Sequence, residues 1–344
     1  MKVILFFLFI LHSANANRCK SGHIVINGTR VEASAFKDCT DLTSVSMPEV
    51  TYIGDDAFEG CTALESVTMP KVTEIGAFAF NDTALTSVDM PEVTSIGISA
   101  FEGCTKLTTV TMPEVTSIGI SAFEGCTALE SVTMPKVTEI GAFAFNDTAL
   151  TSVDMPEVTS IGISAFEGCT KLTTVTMPEV TSIGISAFEG CTALESVTMP
   201  KVTEIGNSTF YGCTALESVT MPKVTEIGVF AFQVCTKLTT VTMPKVTEIG
   251  IGAFLNTALV SVSMPKVTEI GEGAFLNTAL VSVSMPKVTD IGVGAFKYCT
   301  ALTNVTMPNV ETIGAFAFLS TALVSVSMPK VTEIGNSTFY GCTA

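Results

Sequence analysis

The chain has 344 residues, of which 47% are hydrophobic and 15% are charged, and its formal net charge is −16. This apolar content is too high for a disordered chain and is sufficient for a buried core. The acidic balance and the lack of any basic run argue against nucleic acid as a partner, because nucleic-acid binding requires clustered lysine and arginine.

Residues 1–16 have the features of a secretory signal peptide. Lys2 provides the positive start, residues 3–11 are continuously apolar, and Ala14 and Ala16 form the small-x-small pattern that a signal peptidase accepts. The apolar run is too short to span a bilayer as a helix, and no second run of spanning length follows. We therefore predict a secreted or cell-surface protein with no transmembrane segment in the mature chain.

Residues 17–30 lie outside the repeating pattern that follows, and we expect them to form an N-terminal cap. They include Cys19 and His23, the only histidine of the mature chain. Residues 24–26 are apolar and β-branched, which favours a first edge strand.

Residues 31–344 consist of one short unit copied many times. Fourteen Met-Pro pairs recur at intervals of 21 or 22 residues, and such a fixed period is typical of a solenoid. Residues 57–141 recur unchanged as residues 122–206, which indicates recent duplication. We predict about 15 rungs, the last of which stops short after Cys342 without a cap.

The unit that begins at Leu64 illustrates the expected strand. Leu64, Val67 and Met69 have the L-x-x-L-x-L spacing of a leucine-rich-repeat strand. Val67 and Met69 alternate with Ser66 and Thr68, so the strand is expected to bury one face and expose the other.

The rest of the unit is expected to return the chain to the next rung. Pro70 has no N–H to donate and should end the strand. Val72 and Ile75 are expected to point inward, Gly76 to allow a tight bend, and the apolar pair at residues 79–80 to lie in a short turn or helical turn.

The repeated pattern I-G-x-x-A-F-x-x-C-x-x-L-x-x-V-x-x-P resembles the BspA-like leucine-rich repeats of bacterial and protist surface proteins. One full copy is carried by Ile53, Gly54, Ala57, Phe58, Cys61, Leu64, Val67 and Pro70. The resemblance implies a leucine-rich-repeat solenoid with one β-strand per rung in a parallel concave sheet, and short turns or helical turns on the convex side. The chain departs from the family in placing Met, rather than Leu or Ile, two residues after the strand valine.

Ten of the 11 cysteines occupy the same place in their rungs, and this place is expected to face inward. In the rungs that are one residue shorter we expect this place to be missing. A column of small buried residues suits free cysteine and is the reading we favour. A disulfide ladder is the alternative, since neighbouring rungs lie about 4.8 Å apart, and Cys39–Cys61 and Cys104–Cys126 would be its natural pairs. The ten are Cys39, Cys61, Cys104, Cys126, Cys169, Cys191, Cys213, Cys235, Cys299 and Cys342.

The exposed strand positions carry mostly Ser and Thr, and we predict that they form two parallel columns of hydroxyls. Ser and Thr on a solvated strand need no functional explanation, but a rigid polar surface also suits a protein or glycan partner. Without aromatic anchors each contact would be weak, and repetition would supply the avidity. The candidate residues are Ser66, Thr68, Thr109, Thr111, Ser131, Thr133, Thr174, Thr176, Ser196, Thr198, Thr240 and Thr242.

We consider three functions for this surface. The first is adhesion or recognition of an extracellular protein or glycan, including those of other cells or the matrix, which the resemblance also implies. The second is a structural spacer or coat without a specific ligand. The third and least favoured is ice binding by T-x-T rows such as Thr109–Thr111, which Asp89 and Asp154 interrupt.

Charged residues follow the prolines in a regular way. Where Lys follows the proline, as at Lys71, an acid such as Glu74 stands three residues later, and where Glu follows, that later position is neutral. We expect this arrangement to compensate charge within and between rungs. Each lysine from Lys201 to Lys287 carries its own acid, although these lysines are also a candidate for a second binding stripe.

No catalytic, cofactor-binding or metal-binding constellation is visible in the sequence. A repeated Ser-His-Asp or Cys-His site cannot be built with one histidine, and spacings of 22 residues between cysteines are not a zinc pattern. We therefore predict a protein that is not an enzyme and carries no cofactor. Six N-x-S/T sequons are candidates for glycosylation in a eukaryotic host, at Asn27, Asn81, Asn146, Asn207, Asn304 and Asn336.

Overall fold

A computed structural model describes Cys19 and residues 22–342 of the protein. The predicted signal peptide and the start of the predicted cap lie outside the described residues. The chain divides into two compact units, one that ends at Leu150 and one that begins at Thr151. Each unit is a parallel β-solenoid, and the described residues contain no helix.

The first unit has twelve strands in its described part. They are β1 (His23–Val25), β2 (Arg30–Val31), β3 (Ser44–Ser46), β4 (Tyr52–Ile53), β5 (Ser66–Thr68), β6 (Glu74–Ile75), β7 (Ser87–Asp89), β8 (Ser95–Ile96), β9 (Thr109–Thr111), β10 (Ser117–Ile118), β11 (Ser131–Thr133) and β12 (Glu139–Ile140).

The second unit has seventeen strands in its described part. They are β13 (Ser152–Asp154), β14 (Ser160–Ile161), β15 (Thr174–Thr176), β16 (Ser182–Ile183), β17 (Ser196–Thr198), β18 (Glu204–Ile205), β19 (Ser218–Thr220), β20 (Glu226–Ile227), β21 (Thr240–Thr242), β22 (Glu248–Ile249), β23 (Ser261–Ser263), β24 (Glu269–Ile270), β25 (Ser282–Ser284), β26 (Asp290–Ile291), β27 (Asn304–Thr306), β28 (Thr312–Ile313) and β29 (Glu333–Ile334).

Most rungs therefore contribute two strands rather than the single strand expected from the sequence. The three-residue strands carry the Ser/Thr-Val-Ser/Thr segment, and the two-residue strands end on the inward isoleucine. Both kinds pair in parallel with the same segment of the neighbouring rung, for example Ser131 beside Thr109 and Ile75 beside Ile53. The second strand forms because stacked copies of an extended backbone satisfy one another's N–H and C=O groups. The remainder of each rung is turns, without the helical turns that we had allowed for.

The core is built from columns of identical side chains. In the unit that begins at Leu64, Leu64, Met69, Val72 and Ile75 are buried as predicted, while Val67 is half-buried. One phenylalanine per rung forms a stack within each unit, with ring centroids 5.1 to 5.4 Å apart in the first unit and 5.3 to 5.6 Å apart in the second. Offset stacking of buried rings adds to the stabilisation from their burial.

The glycine of most I-G pairs, Gly206 excepted, has a different role from the bend that we expected. At Gly97 an added Cβ would lie 2.5 Å from the carbonyl carbon of Gly76 on the preceding rung. Glycine is thus required because two backbones approach too closely for any side chain. The left-handed conformations occur further along, for example at Phe78 and Asp82, with φ of 55° and 54°.

Candidate functional site

The twelve candidate hydroxyl residues all lie at the first or third position of a three-residue strand, and all are exposed. We call this set the hydroxyl face. Proline ends each strand on one side, and the central valine turns inward, so the two outer residues of each strand project to solvent. The members are Ser66, Thr68, Thr109, Thr111, Ser131 and Thr133 in the first unit, and Thr174, Thr176, Ser196, Thr198, Thr240 and Thr242 in the second.

In-register pairing of the strands places these hydroxyls in columns. Parallel neighbours in a sheet lie about 4.8 Å apart, so a column repeats at that interval. The register is the one that the sequence predicted, with first positions beside first positions and third beside third. Observed pairs are Thr109 with Ser131, Thr111 with Thr133, Thr174 with Ser196, Thr176 with Thr198, Ser218 with Thr240 and Thr220 with Thr242.

The hydroxyls of this face are free, whereas other threonines of the same rungs are not. Thr73 donates its hydroxyl to the carbonyl oxygen of Thr51 on the preceding rung at 3.1 Å, and Thr108 does the same to Thr86 at 3.0 Å. Among the described residues, none of the twelve face hydroxyls has a hydrogen-bond partner in the protein. The face therefore presents donors and acceptors that only solvent or a partner can satisfy.

Aspartate interrupts the face at intervals. Asp89 lies beside Thr111 in the first unit, and Asp154 lies beside Thr176 in the second. The rung of Thr109 and Thr111 therefore has Ser87 and Asp89 as its neighbours on one side. The paired-threonine rows are not contiguous, which favours a molecular partner over an ice surface.

The cysteine column is continuous with a set of buried threonines that the sequence had not suggested. We had expected the shortened rungs to lack this position, but Thr83 occupies it and its hydroxyl lies 3.1 Å from the Cys104 thiol. Cysteines that follow a short or a full-length rung both donate to the phenylalanine carbonyl oxygen of the preceding rung, Cys104 to Phe80 at 3.2 Å and Cys126 to Phe101 at 3.1 Å. The column serves as a line of small buried donors, and the buried threonines in it are Thr83, Thr148, Thr257, Thr278 and Thr321.

The disulfide ladder that we considered is not formed. Cys61, Cys104 and Cys126 are buried free thiols, so the pairs Cys39–Cys61 and Cys104–Cys126 are wrong. Cys39 is instead bonded to Cys19, with their Cα atoms 5.0 Å apart, and this bond joins the first rung to the segment that we predicted as the cap. Sequence alone could not pair Cys19, because a single cysteine outside the column has no repeat neighbour to indicate its partner.

Burial of these thiols predicts loss of stability at alkaline pH. Desolvation raises the pKa of Cys61 to about 11 and that of Cys235 to about 12, from 9.0. The unfolded chain ionises these thiols near pH 9 and the folded chain does not, so this stability is complete below pH 9 and falls as the pH rises towards 11 to 12. At pH 10 we expect each thiol to cost about 1 kcal/mol of unfolding free energy relative to pH 8.

The measurement is urea unfolding at pH 8 and pH 10 for the parent and for a Cys61→Thr, Cys235→Thr variant. Threonine already fills this position in the short rungs, so the variant is expected to fold. The parent should lose about 2 kcal/mol more than the variant between the two pH values. Equal losses would show that the thiols do not titrate as described.

Lysines that follow the prolines form ion pairs between rungs and not with the acid three residues later. Lys71 lies 2.7 Å from Glu49, and Lys136 lies 2.5 Å from Glu114. Lys201 pairs in the same way with Glu179. Each partner is the residue that follows the proline of the preceding rung, so charge is compensated between rungs at these three positions. The expectation that Lys201 is balanced by the acid of its own rung is wrong.

The predicted glycosylation residues differ in accessibility. Asn27, Asn304 and Asn336 are exposed, and Asn304 lies on β27 beside Ser282. Asn207 is exposed too, but its Oδ1 accepts a hydrogen bond from the Val229 N–H at 2.8 Å. Asn81 and Asn146 are half-buried, and the threonines of their sequons, Thr83 and Thr148, are buried.

Two further features of the described residues bear on the class of protein. Histidine, cysteine and acidic side chains do not come together there in any group of three that could hold a metal ion. Nor do residues 22–342 contain a helix of the length and apolarity needed to cross a membrane.

Comparison with known proteins identifies the repeat. The profile of the BspA type leucine-rich repeat region, which comprises six copies, matches residues 29–145, 138–258 and 225–344. No curated protein sequence matches the chain significantly.

Solved structures of bacterial leucine-rich-repeat proteins are similar to the chain. A leucine-rich cell surface protein of Faecalibacterium prausnitzii A2-165 is 29% identical, with 92% of this chain and 88% of that chain covered and a TM-score of 0.48. A leucine-rich repeat protein of Bacteroides ovatus is 21% identical, with 93% and 84% covered and a TM-score of 0.45. The leucine-rich repeat protein of T. pallidum is 29% identical, with 51% and 78% covered and a TM-score of 0.40. The family match over almost all of residues 29–344, together with the stacked parallel rungs, shows that this chain belongs to the BspA type leucine-rich-repeat family.

Proposed function

We propose that the protein is an extracellular or cell-surface binding module that recognises a protein or glycan partner through the hydroxyl face. The observation that carries the proposal is the contrast between two sets of threonines. In the first set, which includes Thr73 and Thr108, each hydroxyl donates a hydrogen bond to a carbonyl oxygen of the preceding rung. Those of the hydroxyl face have no protein partner, although they stand in register on short parallel sheets of three strands.

A surface of this kind favours many weak contacts over one strong one. The described hydroxyl face has no aromatic side chain, so it lacks the buried anchors that dominate compact interfaces. A partner with its own repeat, such as a polysaccharide or a clustered surface protein, would gain avidity from each added rung. Repeated rungs also suit a spacer, which would need no ligand at all.

The test is binding of the purified full chain to a panel of matrix proteins, glycans and whole cells. In the test variant Thr111, Thr133, Thr176 and Thr198 become Val, which keeps the β-branched shape favoured in strands and removes only the hydroxyl. In the control variant the same change is made at Thr105, Thr127, Thr170 and Thr192, which are exposed at the turns instead of on the strands.

We expect saturable binding by the parent, unchanged binding by the control, and at least a tenfold loss in the test variant. A tenfold loss corresponds to about 1.4 kcal/mol. Equal loss in both variants would show that the face is not the binding surface. Lack of binding by the parent to every member of the panel would favour the spacer.

A further inference from the structure

The second unit carries a row of lysines for which the structure provides no partner. The residue after the proline is lysine in five consecutive rungs. The first of them, Lys201, pairs with Glu179, and the other four, Lys223, Lys245, Lys266 and Lys287, are exposed. We call these four the lysine row. Within the described residues, no carboxylate lies within 4.0 Å of any of the four ammonium groups.

The rest of the chain shows how this position is normally neutralised. Lys71 and Lys136 each bind the glutamate that follows the proline of the preceding rung, at 2.7 and 2.5 Å, and Lys201 does the same. In the lysine row the preceding rung supplies another lysine, so the geometry that makes an ion pair elsewhere brings two positive charges together. Like charges at equal positions on neighbouring rungs repel, so the row lowers stability unless an anion lies along it.

Side chains on either side of the row differ in what they offer a ligand. On one side stand Thr220, Thr242, Ser263 and Ser284, whose hydroxyls are exposed and without a protein partner among the described residues. On the other side, Thr225 and its counterparts donate their hydroxyls to the preceding rung, and beyond them stands a column of acids at Glu226, Glu248, Glu269 and Asp290. A polyanion can therefore approach from the hydroxyl side, and the acids confine it to the row.

We propose that the lysine row and the adjoining hydroxyls bind a linear acidic polysaccharide that runs across the rungs. Successive lysines repeat at about the strand spacing of 4.8 Å, which is comparable to the advance of one sugar unit along an extended chain. The ammonium groups would bind its sulfate or carboxylate groups, and the free hydroxyls its sugar hydroxyls. Single-stranded nucleic acid is less suited, because no aromatic side chain borders the described row to stack on bases.

This ligand class rests on the proposed function and makes it more specific. The lysine row is nevertheless a separate surface, which the Thr→Val variants described above leave unchanged. The test variant is Lys223→Glu, Lys266→Glu, which places a glutamate on the rung before Lys245 and on the rung before Lys287. It should fold, because Lys245 and Lys287 each acquire the inter-rung partner that Lys71 has in Glu49. The control variant is Lys106→Glu, Lys237→Glu, which makes the same change in net charge at exposed positions outside the row.

The experiment measures binding of the full chain to heparin and to polygalacturonate, with neutral dextran, single-stranded DNA and phosphatidylserine vesicles as comparisons. We expect the parent and the control to bind at least one acidic polysaccharide with affinity that falls steeply with salt, and the test variant to lose at least tenfold. No binding to either polysaccharide, or equal loss in test and control variants, would overturn the proposal. Tighter binding to DNA or to vesicles, lost in the test variant, would assign the row to that class of partner instead and would also overturn it. Loss of cell or matrix binding in the threonine variant with heparin binding intact would separate the two surfaces.

Discussion

Replacing Phe80 by alanine is expected to lower the free energy of unfolding of the first unit by about 3 to 5 kcal/mol. Phe80 is fully buried, and its ring lies 5.2 Å from the rings of both Phe58 and Phe101. The truncation removes one ring from the stack and leaves a cavity between two close-packed rungs that cannot collapse without breaking strand pairing. Urea unfolding followed by far-ultraviolet circular dichroism measures the loss.

Phe78 provides the control two residues away in the same rung. Its side chain is 39% exposed, and its backbone is left-handed with φ of 55°. Phe78→Ala should therefore cost less than about 1 kcal/mol, since little burial is lost. If the two alanine variants lose the same stability, the ring stack does not contribute as described.

Replacing Gly119 by alanine is expected to destabilise the first unit by about 3 kcal/mol or more. The added Cβ would lie 2.6 Å from the carbonyl carbon of Gly97 and 2.8 Å from the carbonyl oxygen of Ile96. Both contacts are with backbone, so relief requires the two rungs to move apart and the hydrogen bonds between them to lengthen. Thermal and urea unfolding of the variant measure the effect.

Gly125 is the matched control, because its need for glycine has a different origin. Its φ is 69°, and an added Cβ would find nothing closer than 3.9 Å. Asn256 and Asn277 occupy the same place in other rungs with φ of 58° and 55°. Gly125→Asn should therefore stay within about 1 kcal/mol of the parent. A loss as large as that of Gly119→Ala would contradict the expectation that asparagine is tolerated at this left-handed position.

The inward and outward pattern of the strand was predictable because it depends on local order. Alternation of Val67 and Met69 with Ser66 and Thr68 specifies which residues leave the sheet plane on each side, whatever the neighbouring rung contains. The period of 21 or 22 residues then predicts that equal positions stack. Both expectations are confirmed by the exposed hydroxyls and by the in-register pairing. That these hydroxyls bind a partner stays a prediction.

The second strand of most rungs was not predicted, because a strand of two residues is too short to show a periodic pattern. Glu74–Ile75 has only two residues, and alternation over two residues is not a pattern. Its pairing with Tyr52–Ile53 comes from the stacking of equal backbones, which becomes visible only when the two rungs are in place. The close approach at Gly97 has the same origin, and for that reason glycine was assigned to a bend instead.

The sequence by itself therefore determined the solenoid, its period, the composition of its core and the residues of its exposed columns. Only the tertiary structure decided which side chains in those columns have partners. Thr73 binds the rung before it and Thr111 binds nothing in the protein, Cys39 bonds to the cap, and Lys71 finds Glu49 whereas Lys245 faces another lysine. Such contacts join residues about one repeat apart, so each contact depends on which side chain occupies the facing position of the adjacent rung. A repeat pattern specifies that equal positions meet, but the distances and directions between particular atoms on neighbouring rungs arise only when the rungs pack.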